Sequence, residues 1–474
     1  MHWLLISVHI VIMAIALVHA LVYKRDHRAA LGWIGVIIVF PIAGPLIYFL
    51  FGINRVRSAA RRFSGHYLPY FHFGYKRSER PALNSPVADE ATLPAIMQVG
   101  RKVTHQPLAS GNRIEVLING EDFFPRLLEA IAEANECVLI SSYLFSRKGI
   151  AGEIIQALGH AVSRGVRVCV LVDGAGVFYS GRMAVPKLRK AGVELAEFMP
   201  LSLFPPSFGI NLRNHRKITV IDGRVAFFGG INIDPRHMVG AADNRHPTRD
   251  VHFSASGPVV LSLQQVFARD WWMATRQTLD DLPMPSVQDC AGDVGCRVID
   301  DGPDENLDAL AMTLLGVITA ARHSLMIMTP YFLPARELIA AIQSASLRGV
   351  RVQIVIPERS NLPFVDWATR NMLWELVLWD VEVYAQPAPF AHSKLLAIDG
   401  CYVMGGSANI DPRSLRLNFE LGVEMFNDDL ARTVEAHIEE AVASSRRITM
   451  DELDNRRLPI RIRDAIFWLF SSYL

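Results

Sequence analysis

The sequence predicts an α/β protein made of two related halves, each a mainly parallel sheet with helices on both faces. Three observations lead to this fold class. Apolar, strand-like runs alternate with amphipathic, helix-like runs through most of the chain, a pattern typical of parallel sheets. A polar motif occurs once in each half, which predicts a pseudo-twofold relation between them. Two uncharged segments precede the first half and predict a transmembrane helical hairpin.

The predicted hairpin lies within residues 1–62. Residues 3–22 and 31–53 contain no Asp, Glu, Lys or Arg, and each is long enough to span a hydrocarbon core as a helix. A cleaved signal peptide is disfavoured, because no basic leader precedes the first segment and a second segment follows directly. Pro41 and Pro45 interrupt the second segment, so a re-entrant hairpin is the alternative.

Basic residues predict the orientation of this hairpin. The loop between the segments contains Lys24, Arg25 and Arg28. The larger basic cluster follows the second segment and comprises Arg55, Arg57, Arg61, Arg62, Lys76, Arg77 and Arg80. Positive charge stays cytoplasmic, so we expect a multi-pass protein of the inner membrane whose remaining chain lies on the cytoplasmic side. Residues 63–112 are rich in proline and predict an irregular connector.

The first half is predicted at residues 113–277. Its expected strands are 137–145, 166–172, 193–198, 217–221 and 225–228, and its expected helices are 150–163 and 183–191. Residues 278–302, rich in Pro, Asp and Gly, predict a linker between the halves.

The second half, residues 303–474, repeats the same order of elements. Its expected helices are 306–321, 335–347, 364–379 and 429–444, and its expected strands are 324–331, 350–356, 381–384, 394–398 and 402–404. The tail after Arg456 mixes basic and aromatic residues. We expect it either to lie on an anionic bilayer or to pack on the protein body.

Composition limits the classes of function. The net charge is +1, so no overall basic field favours nucleic acid as a partner. The five cysteines form no Cys-x-x-Cys pair, which predicts buried reduced thiols rather than disulfides or a zinc site.

The repeated motif has the form His-x-Lys-x4-Asp and is followed, after the same gap, by Gly-[Gly/Ser]-x-Asn. Its members are His215, Lys217, Asp222 and Asn232 in the first copy, and His392, Lys394, Asp399 and Asn409 in the second. Side chains two residues apart on a strand share a face, so each histidine projects with its lysine. The glycines are expected to let the backbone approach a ligand closely.

The two copies, brought face to face, suit phosphoryl transfer without a metal or other cofactor. Two lysines and two asparagines would stabilise the charged phosphate oxygens. One neutral imidazole would attack phosphorus, and the other, protonated, would deliver a proton to the leaving alkoxide. Asp222 and Asp399 complete the catalytic motif, but they begin Asp-Gly turns, which favours a structural role.

Other charged residues near the motifs are candidates for the site. Asp250 and Glu420 follow the two glycine turns and could orient the imidazoles. Arg236 and Arg413 could bind a second phosphate or a head group, or form structural salt bridges. His237, His246 and His252 lack a metal-ligand spacing and are predicted in a surface loop.

The doubled motif with its glycine turn resembles the phospholipase D superfamily. Within that superfamily, the paired apolar segments and residues 45–55 resemble the membrane-bound bacterial cardiolipin synthases. Further points of similarity are Asn232-Ile-Asp-Pro-Arg236, Asn409-Ile-Asp-Pro-Arg413, Asn418-Phe-Glu420 and Thr329-Pro-Tyr-Phe332.

The resemblance implies an enzyme that joins two phosphatidylglycerols into cardiolipin and releases glycerol. It further implies His215 as the nucleophile and His392 as the general acid, with phosphatidylglycerol and cardiolipin bound from the bilayer. A hydrolase, or a synthase using another alcohol, is the alternative within the superfamily. A catalytically inactive lipid-binding protein is disfavoured, because both motif copies are complete.

Overall fold

The computed structural model describes residues 2–24, 27–52, 92–179, 184–200, 212–283, 291–303 and 306–471. The chain divides into two compact units, Met1–Arg62 and Phe63–Leu474. Arg25, the basic cluster from Arg55 to Arg80 and most of the predicted connector lie outside the described residues.

The first unit consists of one 22-residue helix followed by shorter ones, rather than two uniform helices. Its helices are His2–Tyr23, His27–Val39 and Ala43–Ile47, followed by a π-helix at Tyr48–Gly52. The second helix ends two residues before Pro41, as expected from the clash of a proline ring with the preceding turn. His19 packs inside this unit, with its Nδ1 2.8 Å from the Tyr48 hydroxyl. Within the described ranges, no helix combines the length and the hydropathy required of a membrane span.

Among the described residues, fifteen strands of the second unit form one continuous sheet, and two short strands pair separately. In chain order the strands are β1 (Ala109–Ile118), β2 (Cys137–Ser142), β3 (Arg167–Asp173), β4 (Glu194–Phe198), β5 (Ile218–Ile221), β6 (Val225–Gly229), β7 (Thr248–Arg249), β8 (Val251–Ser256), β9 (Val294–Asp301), β10 (Ser324–Met328), β11 (Arg351–Pro357), β12 (Glu382–Gln386), β13 (Phe390–Ala391), β14 (Leu395–Ile398), β15 (Tyr402–Gly406), β16 (Glu420–Phe426) and β17 (Arg446–Arg447).

The order of the strands confirms the duplication. The sheet runs β17-β12-β11-β10-β14-β15-β16-β9-β1-β8-β6-β5-β2-β3-β4. Reading outward from the central pair β9 and β1, the two halves show the same sequence of equivalent strands. The two central strands pair antiparallel, with Ala109 opposite Cys296 and Asn112 opposite Val294. The halves therefore share one sheet instead of forming two.

The prediction of mainly parallel sheets is wrong. Parallel pairing in the large sheet is confined to β2-β3-β4 and β10-β11-β12, and its other neighbouring strands are antiparallel. Helical crossovers impose the parallel pairs, as the alternation predicted. The motif strands, however, turn back through tight hairpins at Asp222 and Asp399, and a hairpin joins antiparallel strands.

Helices cover both faces of the sheet in the second unit, as predicted. They are Thr92–Thr104, Asn119–Glu133, Ile150–Ser163, Gly174–Tyr179, Ala184–Lys190, Val259–Thr275, Ala309–Ala320, Arg336–Leu347, Pro363–Met372, Trp374–Val377, Pro412–Arg416, Asp428–Ala443, Met450–Asp454 and Leu458–Leu469. The helix predicted at 150–163 is confirmed at both ends. Each half has its own apolar core, centred on side chains such as Phe123 and Leu127 in one and Ile354 and Val383 in the other.

Two stretches predicted to be irregular contain regular elements, and the C-terminal tail packs on the protein body. The expected linker, 278–302, contains the central strand β9. The expected connector contains the helix Thr92–Thr104 and the start of β1. The C-terminal tail forms the helix Leu458–Leu469, which packs on Pro363–Met372. The partners that bury these elements lie far away in the chain.

The cysteine prediction is confirmed for the four cysteines in the described ranges. Cys137, Cys169, Cys296 and Cys401 are buried and free. Burial raises the pKa of the Cys137, Cys169 and Cys401 thiols to about 12. These thiols are therefore protonated and unreactive at neutral pH.

Candidate active site

Each motif histidine is fastened by the backbone of the opposite half. His215 lies just before β5, and its N–H donates to the Phe419 carbonyl at 2.9 Å. His392 lies just before β14, and its N–H donates to the Arg249 carbonyl at 2.8 Å. The residues before the histidines make matching parallel bridges, Asn214 with Phe419 and Ala391 with Arg249. The two copies therefore meet at the boundary between the halves.

The imidazoles are held by carboxylates that also cross between the halves. The Nδ1 atom of His215 lies 3.0 Å from Oε1 of Glu420. The Nδ1 atom of His392 lies 2.7 Å from Oδ2 of Asp250. Both carboxylate side chains are fully buried, and the histidine side chains are 14% and 13% exposed. Because Nδ1 is occupied in each ring, Nε2 is the atom left for chemistry.

Lys217 and Lys394 each lie beside the histidine of their own motif copy. The Lys217 ammonium donates to the His215 carbonyl at 2.5 Å, and the Lys394 Nζ lies 2.9 Å from Nδ1 of His392. Burial lowers the pKa of Lys217 to about 7 and that of Lys394 to about 8. The nearest negative charge, Glu420 for Lys217 and Asp250 for Lys394, opposes this effect. Burial therefore weakens the positive charge of both lysines, and an incoming phosphate anion would raise both pKa values and favour the charged ammonium forms.

The histidines are biased toward the neutral form. Burial lowers the pKa of His215, and the charge of Glu420 opposes this effect. Burial also lowers the pKa of His392 well below its ordinary value, and the charges of Lys394 and Lys217 act in the same direction. Since Lys217 belongs to the other half, its influence on His392 places both motif copies around one point.

The two glycine turns lie against the carboxylates that hold the imidazoles. A Cβ atom at Gly230 would lie 2.2 Å from Oδ1 of Asp250, so only glycine leaves room for that carboxylate. The close approach of Asp250 therefore explains this glycine without a ligand against the turn. The equivalent position in the second copy is Ser407, whose hydroxyl donates to Oε2 of Glu420 at 2.5 Å. In each copy, the second residue of the turn therefore lies against the carboxylate that holds an imidazole.

The two carboxylates differ in their surroundings. Glu420 also accepts a hydrogen bond from Nδ2 of Asn418 at 3.0 Å. Although burial alone would raise it, the pKa of Glu420 is lowered by the charge of His215 and the hydrogen bonds it receives. Burial raises the pKa of Asp250, with the charge of Lys394 opposing. Glu420 is therefore the more firmly ionised partner.

The predicted asparagines and arginines surround this centre in different ways. Oδ1 of Asn232 accepts from the Leu144 N–H at 3.1 Å, which leaves its amide N–H₂ to donate. Asn409 is buried in the equivalent position. Arg236 binds Asp234 through two nitrogens, at 3.0 and 3.2 Å, which fits the structural alternative. Arg413 is half-buried, and its charge acts on Tyr143, whose ring packs edge-on against His215.

The two motif aspartates fix backbone. Asp222 accepts hydrogen bonds from the N–H groups of Asn135, Glu136 and Cys137, at 2.7 to 2.8 Å. Asp399 accepts three from residues 322 to 324, at 2.8 to 2.9 Å. Each carboxylate thus holds the start of the strand that neighbours its own motif strand. Both residues have a positive φ, 51° and 52°, as the hairpin turn requires.

We expect Asp222→Asn to reduce stability rather than chemistry. The amide keeps one acceptor oxygen and turns an N–H₂ group toward backbone donors, at a cost of about 1–3 kcal/mol. Asparagine tolerates the left-handed backbone conformation, so the turn itself is preserved. Denaturant unfolding should show the lower free energy of unfolding, while the rate per folded molecule stays near normal. The exposed Asp243→Asn is the matched control, and a large loss of rate at unchanged stability would contradict the structural role.

Sequence reasoning missed Arg216, the residue between His215 and Lys217. It is fully buried, and it forms ion pairs with Asp270 and Asp300. Its Nε donates to the Glu420 carbonyl at 2.9 Å. Arg216 therefore ties the first motif to the strand that carries the carboxylate partner of His215. A basic residue between His215 and Lys217, where the second copy has Ser393, was the available signal.

The surface-loop prediction is wrong for two of the three histidines. His237 and His252 are buried, whereas His246 is exposed. The His237 ring centre lies 6.4 Å from that of His392, and its Nε2 accepts from the Asn232 N–H at 3.3 Å. Nδ1 of His252 accepts from the Ile231 N–H at 3.3 Å. Both rings therefore support the first glycine turn, a role that only long-range packing reveals.

Comparison with family models agrees with this geometry. The model described as "Cardiolipin synthase, PLD-like domain" matches residues 127–271 and 314–442, one match in each half. The model described as "Phospholipase_D-nuclease N-terminal" matches residues 11–52. The two matches of the first model cover more than half of the chain.

Curated relatives and solved structures point the same way. The chain is 30% identical to the major cardiolipin synthase of Bacillus subtilis (strain 168), covering 95% of both chains. It is 31% identical to cardiolipin synthase A of Pseudomonas aeruginosa, covering 92% of this chain and 89% of that one. A phosphatidylserine synthase of Haemophilus influenzae shares the fold, with a TM-score of 0.61 at 14% identity, over 80% of this chain and 100% of that one. With its two motif copies interlocked as described, the chain belongs to the family of phospholipase D-like cardiolipin synthases.

Proposed function

We propose that this enzyme transfers a phosphatidyl group from one phosphatidylglycerol to a second, forming cardiolipin and releasing glycerol. The observation that carries the proposal is the crossed pairing of His215 with Glu420 and of His392 with Asp250. It provides two oriented imidazoles at one point, which a two-step exchange on phosphorus needs. The names of the similar proteins supply the substrate class.

In the first step, Nε2 of His215 attacks the phosphorus of phosphatidylglycerol. Binding of the anionic phosphate raises the pKa of His392, so this imidazole enters the step protonated. The bond from phosphorus to the glycerol head group breaks, and Nε2 of His392 gives its proton to the departing alkoxide. A phosphatidyl group is now bound to His215, and Glu420 stabilises the positive charge that the ring acquires. Burial keeps the pKa of His215 low, which supports its neutral, nucleophilic form in the empty site.

In the second step, the head-group hydroxyl of another phosphatidylglycerol attacks the same phosphorus. His392, now neutral, takes the hydroxyl proton, and the bond from phosphorus to His215 breaks. Lys217, Lys394, Asn232 and Asn409 stabilise the negative phosphate oxygens in both steps. We propose that Arg413 binds the phosphate of the accepting lipid, since it is half-buried and its charge acts on Tyr143, whose ring packs against His215.

Product analysis tests the reaction. Purified enzyme is supplied with phosphatidylglycerol that carries separate labels in its acyl chains and its head-group glycerol. We expect labelled cardiolipin and free glycerol in equal amounts, with turnover persisting in EDTA, because lysines and histidines carry the charge and protons. Phosphatidic acid as the main product would instead establish a hydrolase, and a new phospholipid on addition of another alcohol would change the acceptor.

We further propose that the first unit holds the enzyme in the inner membrane, through a hairpin that spans or re-enters the bilayer, with the second unit on the cytoplasmic side. The uncharged segments 3–22 and 31–53 support this, as do the many exposed apolar side chains of the first unit, including Ile10, Ile15 and Leu21. Accessibility of single cysteines to a membrane-impermeant label, in intact cells and inverted vesicles, tests the sidedness. Labelling of the second unit in intact cells would overturn it.

A further inference from the structure

The C-terminal helix Leu458–Leu469 exposes several large apolar side chains on the face that points away from the protein body. Large apolar side chains recur at helical spacing on its outer face and are about half exposed or more. They are Leu458 at 67%, Ile462 at 51%, Ile466 at 48%, Leu469 at 70% and, just beyond the helix, Phe470 at 55%. We call these five residues the apolar stripe.

The inner face of the same helix is held by charge. Asp464 is fully buried, and it accepts from Arg456 and Arg463, each at 2.7 Å. The Arg463 guanidinium also lies 4.5 Å above the Trp367 ring, and the Phe467 ring packs edge-on against the same tryptophan. Removing one partner of a buried ion pair is strongly unfavourable. These contacts therefore fix the rotation of the helix and keep the apolar stripe outward.

The surroundings of the stripe indicate its partner. Arg457 and Arg461 are exposed on the same helix. A helix with an apolar face and adjacent arginines is suited to lie in the interface of an anionic bilayer. A soluble protein partner would not require this combination, because the rim of a protein interface mixes polar groups of both signs.

The C-terminal helix packs near the end of the sheet at which the second motif lies. The helix packs on Pro363–Met372, where the Thr369 hydroxyl donates to the Phe332 carbonyl at 3.0 Å. Phe332 follows β10 and bridges to Ile410, next to Asn409 of the second motif. His392 lies just before the strand that pairs with the end of β10, with Met328 opposite Leu395. Buried contacts therefore link the helix that carries the stripe to the second motif.

We propose that the apolar stripe, with Arg457 and Arg461, docks the second unit onto the surface of an anionic bilayer. The apolar side chains enter the boundary between head groups and acyl chains, and the arginines bind the anionic head groups. This docking does not depend on which phospholipid the enzyme makes.

Depth-dependent fluorescence quenching tests the proposal on the full chain. Ile462→Cys and Ile466→Cys, in a Cys290→Ser background, are labelled with an environment-sensitive fluorophore and reconstituted in nanodiscs of phosphatidylglycerol and phosphatidylcholine. Leu347→Cys is the matched control, because Leu347 is an apolar helix residue outside the stripe and 65% exposed. We expect lipids with a quencher in the acyl chain to remove most of the emission at 462 and 466 and little at 347.

Composition and charge variants complete the test. Quenching at 466 should fall when phosphatidylglycerol is replaced by phosphatidylcholine. It should also fall in Arg457→Gln/Arg461→Gln, because each lost charge weakens binding of the helix to the anionic bilayer by about fivefold. The exposed Lys190→Gln should behave like the parent protein. Absence of quenching at both stripe positions, equal quenching at 347, or a blue shift that depends on protein concentration rather than lipid would each overturn the proposal. These readouts need no turnover, so they remain informative if the proposed reaction is wrong.

Discussion

His215→Ala and His392→Ala should each lower the rate of phosphatidyl transfer by at least about a thousandfold, because an imidazole in this site acts as nucleophile or as proton carrier. Each imidazole is held by a carboxylate of the opposite half, so the two rings act together in the reaction. The double variant should therefore be no slower than the slower single variant, since effects of residues that act as a unit do not add. Initial rates of cardiolipin formation from labelled phosphatidylglycerol measure both effects.

The exposed His246→Ala provides the control for this pair. It removes an imidazole from the same region of the chain without touching the crossed contacts, so its rate should match the parent protein. If either His215→Ala or His392→Ala kept a near-normal rate, the paired site would be wrong. A thermal unfolding curve for each variant separates loss of chemistry from loss of fold.

Glu420→Gln should reduce the rate by about a hundredfold to ten-thousandfold, the range for replacing a histidine-orienting carboxylate by its amide. The amide removes the charge that stabilises the imidazolium character of His215. It also disturbs hydrogen bonds from Ser407 and Asn418 that the carboxylate now accepts. Asp250→Asn should act in the same way on His392. Rates are measured with the same lipid assay over a range of pH.

A buried carboxylate on the same strand supplies the matched control. Glu424 is also fully buried in β16, where it accepts from the Tyr402 hydroxyl at 3.1 Å and faces Arg297. Burial raises its pKa to about 7, so the neutral amide in Glu424→Gln resembles a form that is already populated. We expect this variant to keep its rate. Equal losses in Glu420→Gln and Glu424→Gln would mean that the rate reports strand stability rather than orientation of His215.

The elements of the fold were largely predictable from local pattern. Apolar periodicity predicts the helix 150–163 and the strands near β3, β4, β11 and β12, because the apolar residues of each element recur at the spacing of its own secondary structure. The pairing direction was not predictable in the same way, since the motif hairpins reverse the chain and make those strands antiparallel. The strands β8, β9 and β16 were missed because their neighbours come from distant parts of the chain.

The chemically active groups of this protein can be identified from its amino-acid sequence alone. The duplicated His215, Lys217, His392 and Lys394 establish two matched sets of phosphate-binding and proton-carrying groups, and chance does not produce such a repeat. Asp250 and Glu420 were also found as candidates, from their place after the glycine turns.

The pairing of each histidine with its carboxylate follows from the packing of the two halves. The two halves share one sheet, and each motif strand begins beside the backbone of the other half, so Glu420 reaches His215 and Asp250 reaches His392. Local spacing carries no information on such a contact, because it joins residues more than a hundred positions apart. The same packing buried His237 and His252 and turned the apolar stripe of the last helix outward.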